Sequence, residues 1–235
     1  SDNQNDNSIY IPHKGYMGEL WENVYEYLKE KGVVFEFNQH VIKANIKDGR
    51  VVQLQTPIKE FDNVDRVVST IPLIAVHKLM LPKSNLVISL NYRATIIVFI
   101  EVSKLHTNAL FLTNYDLNCL YGRISFCSNW SKNKENIVIS TEIWCNEEDD
   151  IYNQPEHEIT ELIIKSLSSQ KLFSTGIKPK SKVIKLPKSF PVLDIDYKTN
   201  LDLVSNELNT ISNLRLIGRH GNFQWDGIDD IIYAA

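Results

Sequence analysis

Two periodicities divide this sequence. Met17, Leu20, Trp21, Val24 and Leu28 recur at helical spacing and Gly32 supplies a stop, which predicts an amphipathic helix with that face on a core. The same spacing returns in Ile159, Leu162, Ile163, Ser166 and Leu167, opened by Pro155 and ended before Gly176, and in a short helix over 201–211. Short apolar runs bounded by polar turns fill most of the remainder. Residues 33–37, 41–46 and 51–55 read as strands, the last two joined by a tight Asp48-Gly49 hairpin. Val67-Val68 reads as a buried strand ended by Ser69-Thr70-Ile71-Pro72.

From Leu73 the pattern changes. Residues 86–90, 92–102, 109–113, 122–127 and 137–144 read as successive strands separated by polar turns, without helices between them, which predicts an antiparallel sheet. Segments 183–186 and 190–192 bring the chain back towards a last strand at 214–217. The expected class is α+β: an α/β remnant over 1–73 and 201–235, and an antiparallel-sheet domain over 74–200.

The last stretch is the densest in candidate chemistry. After the apolar run Leu214, Leu216, Ile217 come Gly218 and Gly221, which allow backbone to approach a ligand closely, and one cation between them, Arg219. Asp226 is placed to cap a helix whose apolar face starts with Ile228, Ile231 and Ile232, with Asp229 three residues beyond the cap. Strand, glycine loop and helix start together suit a phosphate or an electron-rich ring. They equally suit a strand-turn-helix packed for stability. The turn at 69–72 has the same two readings, a backbone contact to a ligand at a strand end or a connection between domains.

Composition narrows the function classes. With 43% hydrophobic and 23% charged residues the chain is an ordinary globular protein able to bury one large core or two modest ones. A net charge of -4 with scattered basic residues gives no footprint for nucleic acid. No apolar run is long enough to span a bilayer, and the polar start, Ser1 to Ser8, does not read as a signal sequence. Three cysteines, Cys119, Cys127 and Cys145, without C-x-x-C spacing argue against a disulfide framework or a zinc site, and the expected compartment is a reducing cytoplasm. Glu147 to Asp150 and Asp226, Asp229, Asp230 lack calcium-loop spacing, so no metal is expected. Neither G-x-G-x-x-G nor G-x-x-x-x-G-K-[ST] occurs.

Five strings, in order along nearly the whole chain, carry a resemblance. Tyr10-Ile11-Pro12-His13-Lys14-Gly15-Tyr16-Met17-Gly18-Glu19-Leu20, the strand-turn-strand over 33–46, Asp65-Arg66-Val67-Val68-Ser69-Thr70-Ile71-Pro72, Tyr121-Gly122-Arg123-Ile124 with Asn129-Trp130-Ser131, and Gly218-Arg219, Gly221, Phe223, Asp229 are together similar to FAD-dependent amine oxidase-like flavoproteins. Within that family they most resemble the branch of UDP-galactopyranose mutases and related oxidoreductases of lipopolysaccharide biosynthesis. The resemblance implies trailing pieces of a Rossmann-like FAD domain and a substrate domain like the C-terminal domain of FAD-linked reductases. It implies cofactor contacts at Gly15, Gly18, Val41, Thr70, Gly218, Arg219, Ile228 and Asp229. Arg219 would face the pyrophosphate, Val41 the adenine, and the amides of Ile228 and Asp229 the flavin ring. At Tyr16 this chain departs from the family's second glycine.

Tyr92, Arg123, Trp130, Tyr197 and Trp225 are the expected substrate-binding residues. Together with Arg93, Tyr121 and Lys132 they offer cations and stacking rings for the diphosphate and base of a nucleotide sugar. In the family the first glycine loop holds the pyrophosphate, and its absence leads to the expectation of a piece of a longer flavoenzyme, inactive and without FAD on its own. The expected parent is a FAD-dependent oxidoreductase or sugar-nucleotide mutase of cell-surface polysaccharide biosynthesis acting on a small-molecule substrate. The alternatives are an amine oxidase and a degenerate, non-catalytic module that binds a ligand or a protein. Neither catalytic residues nor an oligomeric state follow from the sequence.

Overall fold

The computed structural model describes residues 17–116, 118–130, 136–167, 170–175 and 179–234. In chain order the first elements are α1 (Met17–Glu30), β1 (Lys43–Lys47), β2 (Arg50–Gln55), β3 (Glu60–Asp62), β4 (Val67–Ser69) and α2 (Leu73–Met80). Next come β5 (Tyr92–Val102), β6 (Lys104–Leu105), β7 (Phe111–Thr113), β8 (Arg123–Ser125), α3 (Cys127–Trp130), β9 (Ile137–Cys145), α4 (Asp150–Asn153) and α5 (Glu156–Leu167). The last are β10 (Phe173–Ser174), β11 (Ser181–Pro191), α6 (Tyr197–Leu208), β12 (Leu214–Leu216), α7 (Gly218–Gly221) and α8 (Ile228–Ala234). This is a mixed α and β fold with antiparallel sheets and a parallel pair, β4 with β12.

The chain divides into two compact units. One holds the described residues of Ser1–Phe35 and Thr95–Leu186, the other Glu36–Ala94 and Pro187–Ala235. In the second unit β1, β2 and β3 form an antiparallel sheet in that order, and β4 pairs with β12 in parallel, Val67 opposite Leu214 and Ser69 opposite Leu216. The hairpin between β1 and β2 turns at Asp48 (φ 50°) and Gly49 (φ 70°), the two left-handed positions that an Asp-Gly turn supplies. Its tip is held to the segment before β12, because the Ser212 N–H and hydroxyl both donate to Gly49 O (2.8 and 3.2 Å). The core of this unit gathers Val51, Leu73, Val76, Met80, Leu90, Val204, Leu208, Ile211 and Phe223.

In the first unit a five-stranded sheet has the order β11-β5-β9-β8-β7, with β7-β8 and β8-β9 antiparallel. Residues 92–94 of β5 and 187–191 of β11 belong to the second unit. Alternation along β5 buries Ile96, Val98, Ile100 and Val102, and β9 buries Ile139, Thr141, Ile143 and Cys145, the period of two expected of a sheet with one covered face. On α5 the buried residues Ile159, Ile163 and Leu167 repeat every four.

Several expectations are corrected. The apolar face read on α1 is largely uncovered: Leu20, Trp21 and Val24 are 37 to 50% exposed and Leu28 is half-buried. Residues 33–37 and 86–90 form no strand; apolar runs of five residues lack the length to decide between strand and packed loop. The return read as two segments about Pro187 is one strand, β11. It stands at the edge of its sheet, where a missing N–H is tolerated. Helix α5, by contrast, spans Glu156–Leu167 as read, from just after Pro155 through Leu167; Gly176 lies outside the described residues. The helix read at 201–211 starts earlier, at Tyr197. Val68, expected to be buried, is 52% exposed, and α2 follows Pro72, where no element was read before 86–90. Asp226 does not cap α8, which starts at Ile228; the Asp230 carboxylate reaches back to accept the Gly227 N–H at 2.8 Å.

Candidate functional site

The second unit brings the carboxyl ends of its two parallel strands together. From β4 the chain leaves through Thr70 and Ile71 to Pro72, which precedes α2; from β12 it leaves through Ile217 into α7. The Val67 N–H donates to Asn213 O (2.8 Å) and the Ile217 N–H to Ser69 O (3.0 Å), so the ladder extends to both strand ends. Two glycines shape the junction for different reasons. Gly218 has φ +76°, a conformation that side chains rarely adopt, and a Cβ there would meet only Ile231 Cδ1 at 4.0 Å. Gly221 is a matter of space, because its Cβ would stand 2.9 Å from Ser69 O.

Arg219 lies on this turn half-buried. Its Nε and Nη2 donate to Asp226 O (3.1 and 2.9 Å), and its guanidinium lies over the Phe190 ring, 4.6 Å from the centroid. A guanidinium has five N–H donors, so the tether to Asp226 uses two of them. That tether fixes the loop leading to α8, on whose exposed first turn Ile228 and Asp229 sit.

Tyr92 joins the two strand-end turns. Its hydroxyl accepts the Leu73 N–H at the start of α2 (3.1 Å) and donates to His220 O on α7 (3.2 Å). The ring stacks near His220 and meets the edge of Phe223, which is fully buried with φ 53°. Burial pushes the Tyr92 phenol up to about 12 against the opposing effect of the Leu73 N–H. Tyr197 and Trp225 line one small pocket of about 320 Å³ together with Leu193, Leu201 and Phe223. The Trp225 indole N–H donates to Pro191 O (2.8 Å), leaving the ring largely exposed.

Of the remaining expected residues, Thr70 is exposed at the end of β4, and Val41 is exposed two residues before β1. Gly18 is exposed on the first turn of α1, and Gly15 lies outside the described residues, as does Lys132. Arg123 and Trp130 belong to the first unit. There the Arg123 guanidinium is paired with Glu142 (Nε to Oε1 2.9 Å), and the Trp130 indole N–H donates to Leu110 O at 3.0 Å. Tyr121, also in that unit, is buried and its hydroxyl accepts from Gln170; burial again pushes the phenol up to about 12.

Sequence reasoning missed Asn213. Buried just before β12, its Oδ1 accepts the Val51 N–H (2.8 Å), and its Nδ2 reaches the carbonyls of Val51, Val64 and Asp65 (2.9, 3.2 and 3.3 Å). It also missed Glu207, which accepts from Ser84 Oγ (2.7 Å) and bonds to the buried His77 Nε2 (2.6 Å). These two bonds hold the Glu207 carboxyl below its ordinary range. An asparagine before a short strand and a glutamate in a helix carry no signal of these contacts in one sequence. Among the described residues no cluster of His, Cys, Asp or Glu is placed to hold a metal ion, the three cysteines form no disulfide, and no helix is long and apolar enough to cross a membrane.

The carboxyl ends of parallel strands are where α/β proteins that bind nucleotide cofactors hold them. The chain belongs to the family of flavin containing amine oxidoreductases, whose model matches residues 1–185. No curated protein matches it in sequence. Solved structures similar in fold include a reduced UDP-galactopyranose mutase, with a TM-score of 0.70 and 17% identity over 92% of this chain and 48% of that one. A protoporphyrinogen oxidase-like protein from Exiguobacterium sp. 255-15 gives 0.68 and 16% over 90% and 48%. An oxidoreductase from Methanosarcina mazei gives 0.58 and 12% over 91% and 52%. The chain spans about half the length of each of these proteins.

Flavin is the group the family's description names, and the residues present fit it in part. The open approach at Gly218, and the closure of Gly221 on Ser69, suit a planar group brought against backbone. What a dinucleotide also needs is a glycine loop for its pyrophosphate, and the sequence has no such loop.

Proposed function

We propose that this chain is the larger part of the substrate side, and a minor part of the cofactor side, of a FAD-dependent oxidoreductase or sugar-nucleotide mutase. In this reading residues 1–73 and 201–235 belong to a Rossmann-like FAD domain, and 74–200 form a substrate domain like that of FAD-linked reductases. The observation that carries the proposal is the convergence of Thr70 and Gly218 at the carboxyl ends of β4 and β12, with Gly221 against Ser69 O. FAD, when bound by the complete protein, supplies the redox chemistry; the protein supplies binding, orientation and electrostatics. Thr70 and Gly218 would present backbone to it, Arg219 would direct its remaining donors at the phosphates, and the first turn of α8 would supply amides at Ile228 and Asp229. Gly18 and Val41 belong to the same proposed cofactor contacts, as does Gly15.

For the substrate we propose a nucleotide sugar of cell-surface polysaccharide synthesis, made in the cytoplasm. Arg123, Trp130, Tyr92, Tyr197 and Trp225 are the proposed contacts. Support comes from the fold likeness to UDP-galactopyranose mutase and from the cations and rings these positions offer. Arg123 would have to exchange Glu142 for a diphosphate, a substitution of one oxyanion for another in the same fork. The test is a titration of the complete flavoprotein with UDP-galactose, followed by flavin fluorescence, beside an assay of hydrogen peroxide release with benzylamine. Saturable binding that weakens with added salt and in Arg123→Ala supports the reading. Peroxide release with the amine and no UDP-sugar binding would replace it with an amine oxidase. Absence of flavin from the complete protein would leave a binding module.

A further inference from the structure

A groove of about 1170 Å³ on the second unit lies apart from the strand-end junction. One wall is the unbroken run 42–47, which includes all of β1; the other is the unbroken run 78–84, from the end of α2 onwards. The consecutive residues of β1 that line it are those an edge offers, and Val52 of β2 adds part of the sheet face beside them. β1 is outermost in the β1-β2-β3 sheet, and its other edge is the one paired to β2.

Charge on the groove is one-sided. Lys43 and Lys47 stand on the strand wall and Lys78 and Lys83 on the other, and among the described residues none of them has a carboxylate within ion-pair distance. The one acidic residue lining it, Glu207, is engaged by His77 and Ser84. Four unpaired cations on a chain of net charge -4 are a local excess. Between them the lining is apolar, from Ile42, Ile46, Leu79, Met80 and Leu81. Lysines on an edge strand repel most strands that could add to it, and so select for an acidic one.

We propose that this groove seats an extended acidic segment of a partner protein, which adds to β1 as a fourth strand and sets its carboxylates against Lys43 and Lys47. The strand edge supplies main-chain hydrogen bonds and the lysines supply selectivity, the division of labour in recognition by strand addition. A small anion would meet the lysines and leave the strand edge unpaired. A flat anionic bilayer would not enter a concave groove.

The test is fluorescence anisotropy of the complete protein, its encoded upstream sequence included, with a labelled peptide of alternating Glu and Val. Saturable binding is expected, about tenfold weaker in Lys43→Glu/Lys47→Glu, and lost when alternate peptide amides are N-methylated so that strand pairing is blocked. Lys78→Glu, on the opposite wall, serves as a second variant if the double one does not give the parent's circular dichroism spectrum. Equal binding of the N-methylated peptide would reduce the site to plain charge attraction and overturn the proposal. So would binding of phosphatidylserine vesicles without binding of the peptide, or no binding at all.

Discussion

Asn213 does more for the second unit than any residue the sequence picked out. One amide side chain joins β2, the turn before β4 and the start of β12, and its two contacts to Val51 are buried. Asn213→Ala orphans the Val51 N–H and removes the donor to three carbonyls, so a loss of about 2 to 4 kcal/mol is expected, read as a shift in urea midpoint at unchanged slope. Glu207 gives a pH signature. Its folded carboxyl titrates below the ordinary value, so the stability it contributes is present above that value and is lost as pH falls through the lowered one. Stability profiles of the parent and Glu207→Gln should therefore differ at neutral pH and converge in acid; parallel profiles would show that the carboxylate contributes nothing to folding. Gly218, Gly221 and Arg219 were legible because glycine and a lone cation in a loop are visible in one sequence. That Arg219 lies on Asp226 O was not legible, since the partner is a backbone atom that every residue has.

Among the elements, the Asp48-Gly49 hairpin and strands β5 and β9 were read close to their bounds, because turn chemistry and long alternating runs are local signals. Helix α2 was missed. Eight residues with Leu73, Val76, His77 and Met80 on the buried side carry little pattern, and Pro72 before them offers no side-chain cap. What positions α2 is the Tyr92 hydroxyl, a contact nineteen residues away in sequence. Tyr92→Phe removes the acceptor for the Leu73 N–H and the donor to His220 O, and should cost about 1 to 2 kcal/mol while leaving the ring packed on Phe223. Thermal unfolding of the variant measures it; an unchanged midpoint would mean that solvent replaces both bonds. Gly221→Ala tests the junction of β4 and α7 more directly, because the added Cβ meets backbone at Ser69 O, which has no rotamer through which to retreat. A loss of about 1 to 3 kcal/mol is expected, the cost of overpacking.

At the scale of the whole molecule, two surfaces stand out as unfinished. In the first unit the apolar face of α1 is exposed at Leu20, Trp21, Val24 and Tyr27. In the second, β4 and β12 make a two-stranded parallel sheet with Val68 and Ile71 exposed, although parallel sheets are ordinarily covered on both faces. The sequence predicted an amphipathic helix and a buried strand, and could not show that, among the described residues, both faces stay exposed. Family membership, a span of about half the length of similar structures and the lack of a G-x-G-x-x-G loop lead us to the same proposal, that further chain completes both the core and the cofactor site. The most direct measurement is bound flavin, by visible absorbance after gel filtration, for this chain with added FAD and for the same chain co-expressed in frame with its encoded upstream sequence. The account predicts a colourless chain alone and near-stoichiometric flavin in the longer protein, with Arg219→Ala in the latter weakening FAD by roughly 1.5 to 3 kcal/mol. Near-stoichiometric flavin on this chain alone, or none on the longer protein, would contradict it.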